Sequence, residues 1–186
     1  MGNRKYILTD ETRKVEDRIL HKIKAVKDFN GVHEGDLGGW VESEDNLSQF
    51  GNCWIYDNAM VLDEAIVSDM AMVRNRAKVS ENAFIHEHAW ICDNAWICGD
   101  ANVCHNATIC DYAIVKNEED YTVYKNIWGG GHYFTWTRSN NMWKDHDFFG
   151  TGEELIKKAY KDSKLTGECY EAIVKAQEII SKNLDL

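Results

Sequence analysis

Three groups of residues carry side chains able to do chemistry. The first is Arg74, Arg76 and Lys78 in the run VRNRAKV, a basic cluster in an otherwise acidic stretch. A guanidinium beside aromatic rings holds a phosphate or stacks on a base, although the same cluster also suits surface solubility or ion pairs between subunits. The second group is His132, Tyr133, Trp136, Arg138, Asn140, Asn141, Trp143 and Lys144. Rings beside arginine and amides read a nucleobase and its phosphate, or they form an aromatic patch that packs on the rest of the chain. The third group is His86, His88 and His105, candidate general bases, among Cys92, Cys98, Cys104 and Cys110, spaced six apart. In a linear motif such thiols would suggest a metal.

Other chemistries find no support. There is no Ser-His-Asp arrangement at a diagnostic spacing, no P-loop and no dinucleotide fingerprint. Gly129, Gly130 and Gly131 fall between two expected strands, not ahead of a helix. The formal net charge of -10 argues against general nucleic-acid binding, which needs a cationic surface. No apolar run is long enough to span a membrane, and MGNRKYILTD lacks the apolar core of a signal peptide. Gly2 is present, but Tyr6 stands where myristoylation requires Ser or Thr. The cytoplasm is the expected compartment, with the six cysteines reduced. The chain has no proline, which fits few irregular loops.

The elements that must position these groups are written in a repeat. Cys53 and then alanine at every sixth residue from Ala59 to Ala113 mark eleven hexads without an insertion. Two residues after each comes a branched aliphatic, from Ile55 to Val115. A helix would need apolar spacings of three and four. Small-x-aliphatic has the period of two of a short strand with both ends facing inward. Asp-Asn or Gly-Asp then forms a turn. Gly39-Trp40-Val41 has the same form, and Leu47 fits the next aliphatic slot.

From about residue 39 to 117 this pattern resembles the hexapeptide-repeat superfamily, the left-handed parallel β-helices. LGGWVESEDNLSQFGNCWIYDNA is similar to a phage and bacterial branch of transferase-like proteins. The resemblance implies three hexads per triangular coil, so residues eighteen apart stack. Nearly four coils follow, on the order of 20 Å of solenoid. Only Cys92 and Cys110 then share a face, four thiolates cannot converge on one zinc, and no metal is expected. The acidic turn residues, such as Asp57, Asp63 and Asp69, are expected to be solvated.

The residues between small and aliphatic positions point outward in three rows: Trp54, Met72, Trp90, Thr108; Met60, Lys78, Trp96, Ile114; and Ile66, Phe84, Asn102. Contiguous apolar surface of this kind marks an interface. Trp54, Met72, Trp90, Trp96 and Phe84 are therefore expected to pack against another subunit or the chain's own terminal segments. The family's habit makes a homotrimer the expected oligomer. Arg74 should stack between Tyr56 and Cys92, near Trp90.

The expected fold is mainly β: an N-terminal β cap over residues 1–38, the hexapeptide-repeat β-helix over 39–117, and a C-terminal α+β module over 118–186. KYILTD and HKIKAVKDF read as two cap strands, protecting an edge that would otherwise be unpaired. After Lys116, DYTVYKNI, HYFTWTR and MWK read as a β-meander. Alternation puts Tyr133, Thr135 and Thr137 on one face and Phe134, Trp136 and Arg138 on the other. Thr151 with Glu154 forms a capping box for a first helix. A second helix is expected from about Gly167 to Lys182, capped by Thr166, with Tyr170, Ile173, Val174 and Ile180 as its buried stripe.

The function expected from this kinship is a non-enzymatic, phage-type accessory protein without a cofactor, in the host cytoplasm if phage-encoded. Its ligand-binding residues would be Arg74, Arg76, His132, Tyr133, Trp136, Arg138, Asn141, Trp143 and Lys144. They would sequester a small anionic ligand, such as a nucleotide immune signal, or the protein would block a host defence protein. The alternative that the family implies is an acyltransferase using acyl-CoA, with His86 or His88 as base. The long loop that several such enzymes carry is missing from this sequence. A structural or adaptor trimer is the third alternative.

Overall fold

The computed structural model describes residues 4–184, so Gly2 lies outside the described residues. Strands β1 (Tyr6–Val15) and β2 (Arg18–Ala25) form an antiparallel hairpin. β2 pairs antiparallel with β3 (Leu37–Val41), and β3 is also the first rung of a solenoid. Eleven two-residue strands follow at the expected hexad positions. They are Trp54–Ile55 (β4), Met60–Val61 (β5), Ile66–Val67 (β6), Met72–Val73 (β7), Lys78–Val79 (β8), Phe84–Ile85 (β9), Trp90–Ile91 (β10), Trp96–Ile97 (β11), Asn102–Val103 (β12), Thr108–Ile109 (β13) and Ile114–Val115 (β14).

These strands stack in parallel on three sides, in the orders β3-β5-β8-β11-β14, β4-β7-β10-β13 and β6-β9-β12. Leu47 bridges to Val67 and adds a rung to the third side. The protein is thus mainly β, a solenoid of about four turns. From β4 onward the register is eighteen residues: Trp54, Met72, Trp90 and Thr108 pair in sequence, as do Met60, Lys78, Trp96 and Ile114; in the first coil it is twenty, Trp40 pairing with Met60 and Leu47 with Val67. The alanines and branched aliphatics are fully buried and fill the interior. Each buried Val or Ile contributes about 1.5–3 kcal/mol by leaving water.

The turn residues do more than face solvent. One residue per hexad, such as Asp57 (φ 54°), Asp69 (57°), Asp93 (59°) and Asp111 (61°), adopts the left-handed conformation. Asp and Asn reach it at low cost. Their side-chain oxygens then accept from the backbone N–H eighteen residues on: Asp57 from Asn75 (3.0 Å), Asp69 from Glu87 (3.1 Å) and Asp93 from Asp111 (3.2 Å). Glu81 and Glu87 serve Gly99 and His105 in the same way, both at 2.8 Å. At Gly99 (φ 63°) a Cβ would meet the Lys116 carbonyl oxygen at 2.7 Å, so the exception is required sterically as well as conformationally. The acidic turns are therefore a hydrogen-bonding ladder.

The two ends of the solenoid differ chemically. Each coil's N–H groups donate to carbonyls of the next coil, as Trp54 does to Ala71 (3.1 Å) and Trp90 to Ala107 (2.8 Å). The first coil is left with spare acceptors and the last with spare donors. At the first, Lys5 Nζ donates to the Cys53 carbonyl (2.9 Å), Asn46 Nδ2 to Asp63 and Ala65 carbonyls (both 2.9 Å), and Lys22 Nζ to Asp57 (3.0 Å). At the last, Thr135 Oγ1 accepts from Thr108 N (2.9 Å), Ser139 Oγ from Ile114 N (2.7 Å) and Asp120 Oδ2 from Lys116 N (2.8 Å).

The residues capping the last coil belong to the C-terminal segment. It forms an antiparallel sheet of β15 (Tyr121–Lys125), β16 (Tyr133–Thr137), β17 (Met142–Asp145) and β18 (Phe148–Gly150). β18 is a fourth strand beyond the expected three. Helices α1 (Gly152–Asp162) and α2 (Lys164–Leu184) cover one face. Thr151 and Glu154 form the expected capping box. α2 starts earlier than expected because Ser163 Oγ, not Thr166, accepts the capping bond, from Thr166 N at 3.0 Å. Ile180 is exposed; Gln177 takes the buried position instead, accepting from Tyr124 Oη at 2.6 Å. No helix among the described residues is long and apolar enough to cross a membrane.

The ladder makes a quantitative demand. Asp69→Ala removes the acceptor for Glu87 N and forces alanine to a positive φ, lowering unfolding free energy by about 1–2 kcal/mol. Asp69→Asn keeps both features and stays within about 0.5 kcal/mol of the parent, within the range of ordinary surface changes. Urea midpoints measure the difference.

Candidate functional site: a cleft between the solenoid and the C-terminal sheet

The β15–β18 sheet does not lie flat against the side of the solenoid it caps. It leaves a cleft of about 530 Å³ against β7, β10 and β13. The solenoid wall supplies Arg74, Trp90, Cys92, Thr108 and Cys110; the sheet supplies Tyr133, Lys144, His146 and Phe149. The eighteen-residue register puts the Arg74 guanidinium 5.7 Å from the Tyr56 ring centre and 6.0 Å from that of Trp90. Lys144 Nζ donates to the His146 carbonyl at 2.6 Å, which holds it at the rim. Two cations thus face a space walled by the rings of Trp90, Tyr133 and Phe149, each more than a third exposed. Asp93 and Asp111 close one edge.

Cys92 and Cys110 stack in this cleft. The Cys110 thiol donates to Cys92, which holds Cys92 below the ordinary thiol range, with Lys144 and Arg74 adding to the effect. The same bond and burial push Cys110 far up. The six cysteines are free, and burial raises Cys53, Cys98 and Cys104. Two trios have ligand atoms within 4.8 Å of one another: Cys92, Asp93 and Cys110, and Glu87, Cys104 and His105. Either offers a soft metal three donors, although Arg74 and Lys144 oppose a cation at the first.

Of the residues expected to bind ligand, the cleft brings together Arg74, Tyr133 and Lys144, joined by Trp90. Arg76 stands exposed outside it. Trp136 and Trp143 are buried in the core between the sheet and the helices, because β16 and β17 turn these side chains towards Leu155, Tyr170 and Val174. The Trp136 indole donates to Asn141 Oδ1 at 2.9 Å. Arg138 faces Asp120 at 3.8 Å, and with Asn141 it lines a separate depression beside α2. His132 opens on another pocket, bounded by α1.

Among the expected interface residues, Trp54 is covered by the chain's own cap, edge-on to Tyr6 and Phe29 at 6.2 and 5.4 Å. Trp96 donates to Ser80 Oγ at 2.9 Å beneath Lys78. Met72 is half-buried, and Phe84 stacks on His86 at 4.4 Å. His86 Nε2 lies 2.8 Å from Asn102 Oδ1, on the side formed by β6, β9 and β12, away from the cleft. His88 is exposed on a turn. His146 and Phe149 were not expected in the site. Their signal was the hairpin Asp145-His146-Asp147, visible only once β18 is paired with β17.

The thiol pair predicts selective chemistry. Limiting iodoacetamide at neutral pH alkylates Cys92 ahead of Cys53, Cys98, Cys104 and Cys110, because only its thiolate is favoured among these. Cys110→Ala removes the donor and slows Cys92 labelling, as peptide mass spectrometry reads directly.

No family model matches the chain. A curated protein named as an uncharacterized acetyltransferase, YdcK of Escherichia coli (strain K12), is 44% identical over 62 residues, 29% of this chain. The match spans 19% of that relative's length. The stacked parallel coils and this partial relative fit the hexapeptide-repeat superfamily.

Proposed function

We propose that the cleft binds an acyl-coenzyme A thioester and that the protein is an acyltransferase. The observation that carries this reading is the meeting of Arg74 and Lys144 with the rings of Trp90, Tyr133 and Phe149 in one cleft. Cations hold phosphates, and ring faces hold a base. The volume is that of a small-molecule site. The partial relative's name, an acetyltransferase, supports the same chemistry. His146 is the histidine placed in the cleft, so it takes the role of base in preference to His86 or His88. The acceptor gives its proton to the imidazole and attacks the thioester carbonyl, and the C–S bond breaks to release the thiolate. Exposed Ile66 and Phe84, on a side of the solenoid away from the cleft, are the proposed contact of a trimer.

The same cations and rings would serve a protein that holds a nucleotide without reacting it, the expectation drawn from phage kinship. The relative's name favours transfer over sequestration. Calorimetry with acetyl-CoA, ATP and a cyclic dinucleotide separates the two. Acetyl-CoA binds, and Arg74→Ala weakens it by about tenfold, the worth of one charged hydrogen bond. Binding of nucleotides alone, with acetyl-CoA refused, contradicts the proposal. In turnover assays with an amine panel, His146→Ala lowers kcat by about a hundredfold or more with little change in acetyl-CoA affinity. An equal loss of affinity would make His146 a binding residue only.

A further inference from the structure

His146 also lines a second pocket, of about 320 Å³, between the β17–β18 hairpin and the helices. The cleft sets Arg74 and Lys144 against Asp93 and Asp111, whereas this pocket is net acidic. Asp145, Asp147 and Asp162 face it with Lys158 as the one lysine or arginine among its lining residues. Asp162 is the last residue of α1, where the helix dipole disfavours a negative charge, so helix stability does not account for it.

Two buried acceptors in this pocket have no hydrogen-bond donor. Asn126 is 3% exposed and its Oδ1 has no hydrogen-bond partner among the described residues. Asp145 is 5% exposed; Tyr170 Oη donates to its Oδ2 at 2.8 Å. His132 Nε2 stands 2.9 Å from Asp145 Oδ1, but off the hydrogen-bond axis, which leaves that oxygen also without a hydrogen bond. A buried acceptor left unmade costs about 1–3 kcal/mol, a cost that a donor entering the pocket removes. The His132 ring stacks on that of His146 at 5.4 Å, and this pair separates the pocket from the cleft.

From this we infer that the second pocket receives a small cationic amine, and that this amine is the acyl acceptor. The inference rests on the acyltransferase reading. An ammonium brings a positive charge to the three carboxylates and up to three donors to the Asn126 and Asp145 oxygens. A metal ion fits less well: among the described residues, the two trios with ligand atoms close enough to hold one lie elsewhere. With one ammonium held on the Asn126 and Asp145 oxygens, a second amino group at the His146 edge gives one proton to the imidazole, and its neutral nitrogen attacks the acyl carbon. The C–N bond forms, the C–S bond breaks, and the sulfur leaves as thiolate. The net products are an amide, a thiol and one released proton.

The test uses the full chain without acetyl-CoA. Putrescine is titrated by NMR, with 1,4-butanediol as the uncharged control, and the His132 and His146 ring signals are followed. Putrescine shifts both signals and the diol shifts neither. Asp147 and Asp162 are exposed, so Asp147→Asn with Asp162→Asn preserves the fold and weakens putrescine by about fivefold or more, the worth of two exposed ion pairs. Equal binding of the diol, no binding of putrescine, or no effect of the double variant overturns the inference. Putrescine binding in a protein that refuses acetyl-CoA keeps the pocket and overturns the acyltransferase reading. Acetyl-CoA binding without putrescine binding does the reverse.

Discussion

The structure depends on the hydrogen bonds between stacked coils. N–H groups beside each short strand donate to the next coil's carbonyls, and the corners bond in the opposite sense, Asp57 accepting from Asn75 N and Asp93 from Asp111 N. The six-residue period, three hexads to a coil, sets an eighteen-residue register from β4 onward, and the backbone bonds leave the two ends chemically unlike. One end needs donors and receives them from Lys5, Lys22 and Asn46. The other needs acceptors and receives them from Asp120, Thr135 and Ser139. Buried polar groups demand partners, so neither terminal segment is optional.

The cleft is a consequence of that capping. Thr135 and Ser139 tie the C-terminal sheet to the rims of β13 and β14, and the same attachment brings Tyr133, Lys144 and Phe149 opposite Arg74 and Trp90. Register alone stacked Arg74 against Trp90; capping added the facing wall. The stacked His132 and His146 then lie between a cleft that sets Arg74 and Lys144 beside Asp93 and Asp111 and a second pocket that is net acidic.

Much of this was legible in the sequence because the hexad period never slips. Strand positions, the three outward rows and the place of Arg74 beside Tyr56 all follow from counting by six and eighteen. The acidic turns read as merely solvated, because composition does not show that an aspartate at positive φ aims its oxygen at an N–H eighteen residues away. In the C-terminal segment, alternation sorted Tyr133 from Trp136 correctly, but alternation does not say which face meets the helices. Trp136 and Trp143 therefore looked like ligand residues and are core. His146 escaped notice because its hairpin is short and its second strand, β18, is only three residues long.

The proposed thioester ligand occupies the cleft between solenoid and sheet. Hydrogen exchange with and without acetyl-CoA tests it most directly. A thioester seated there adds protection confined to residues 90–93, 108–111 and 144–149, which belong to the two walls. Protection on the other sides of the solenoid, at 66–68, 84–88 and 102–105, or no protection at saturating acetyl-CoA, would contradict it.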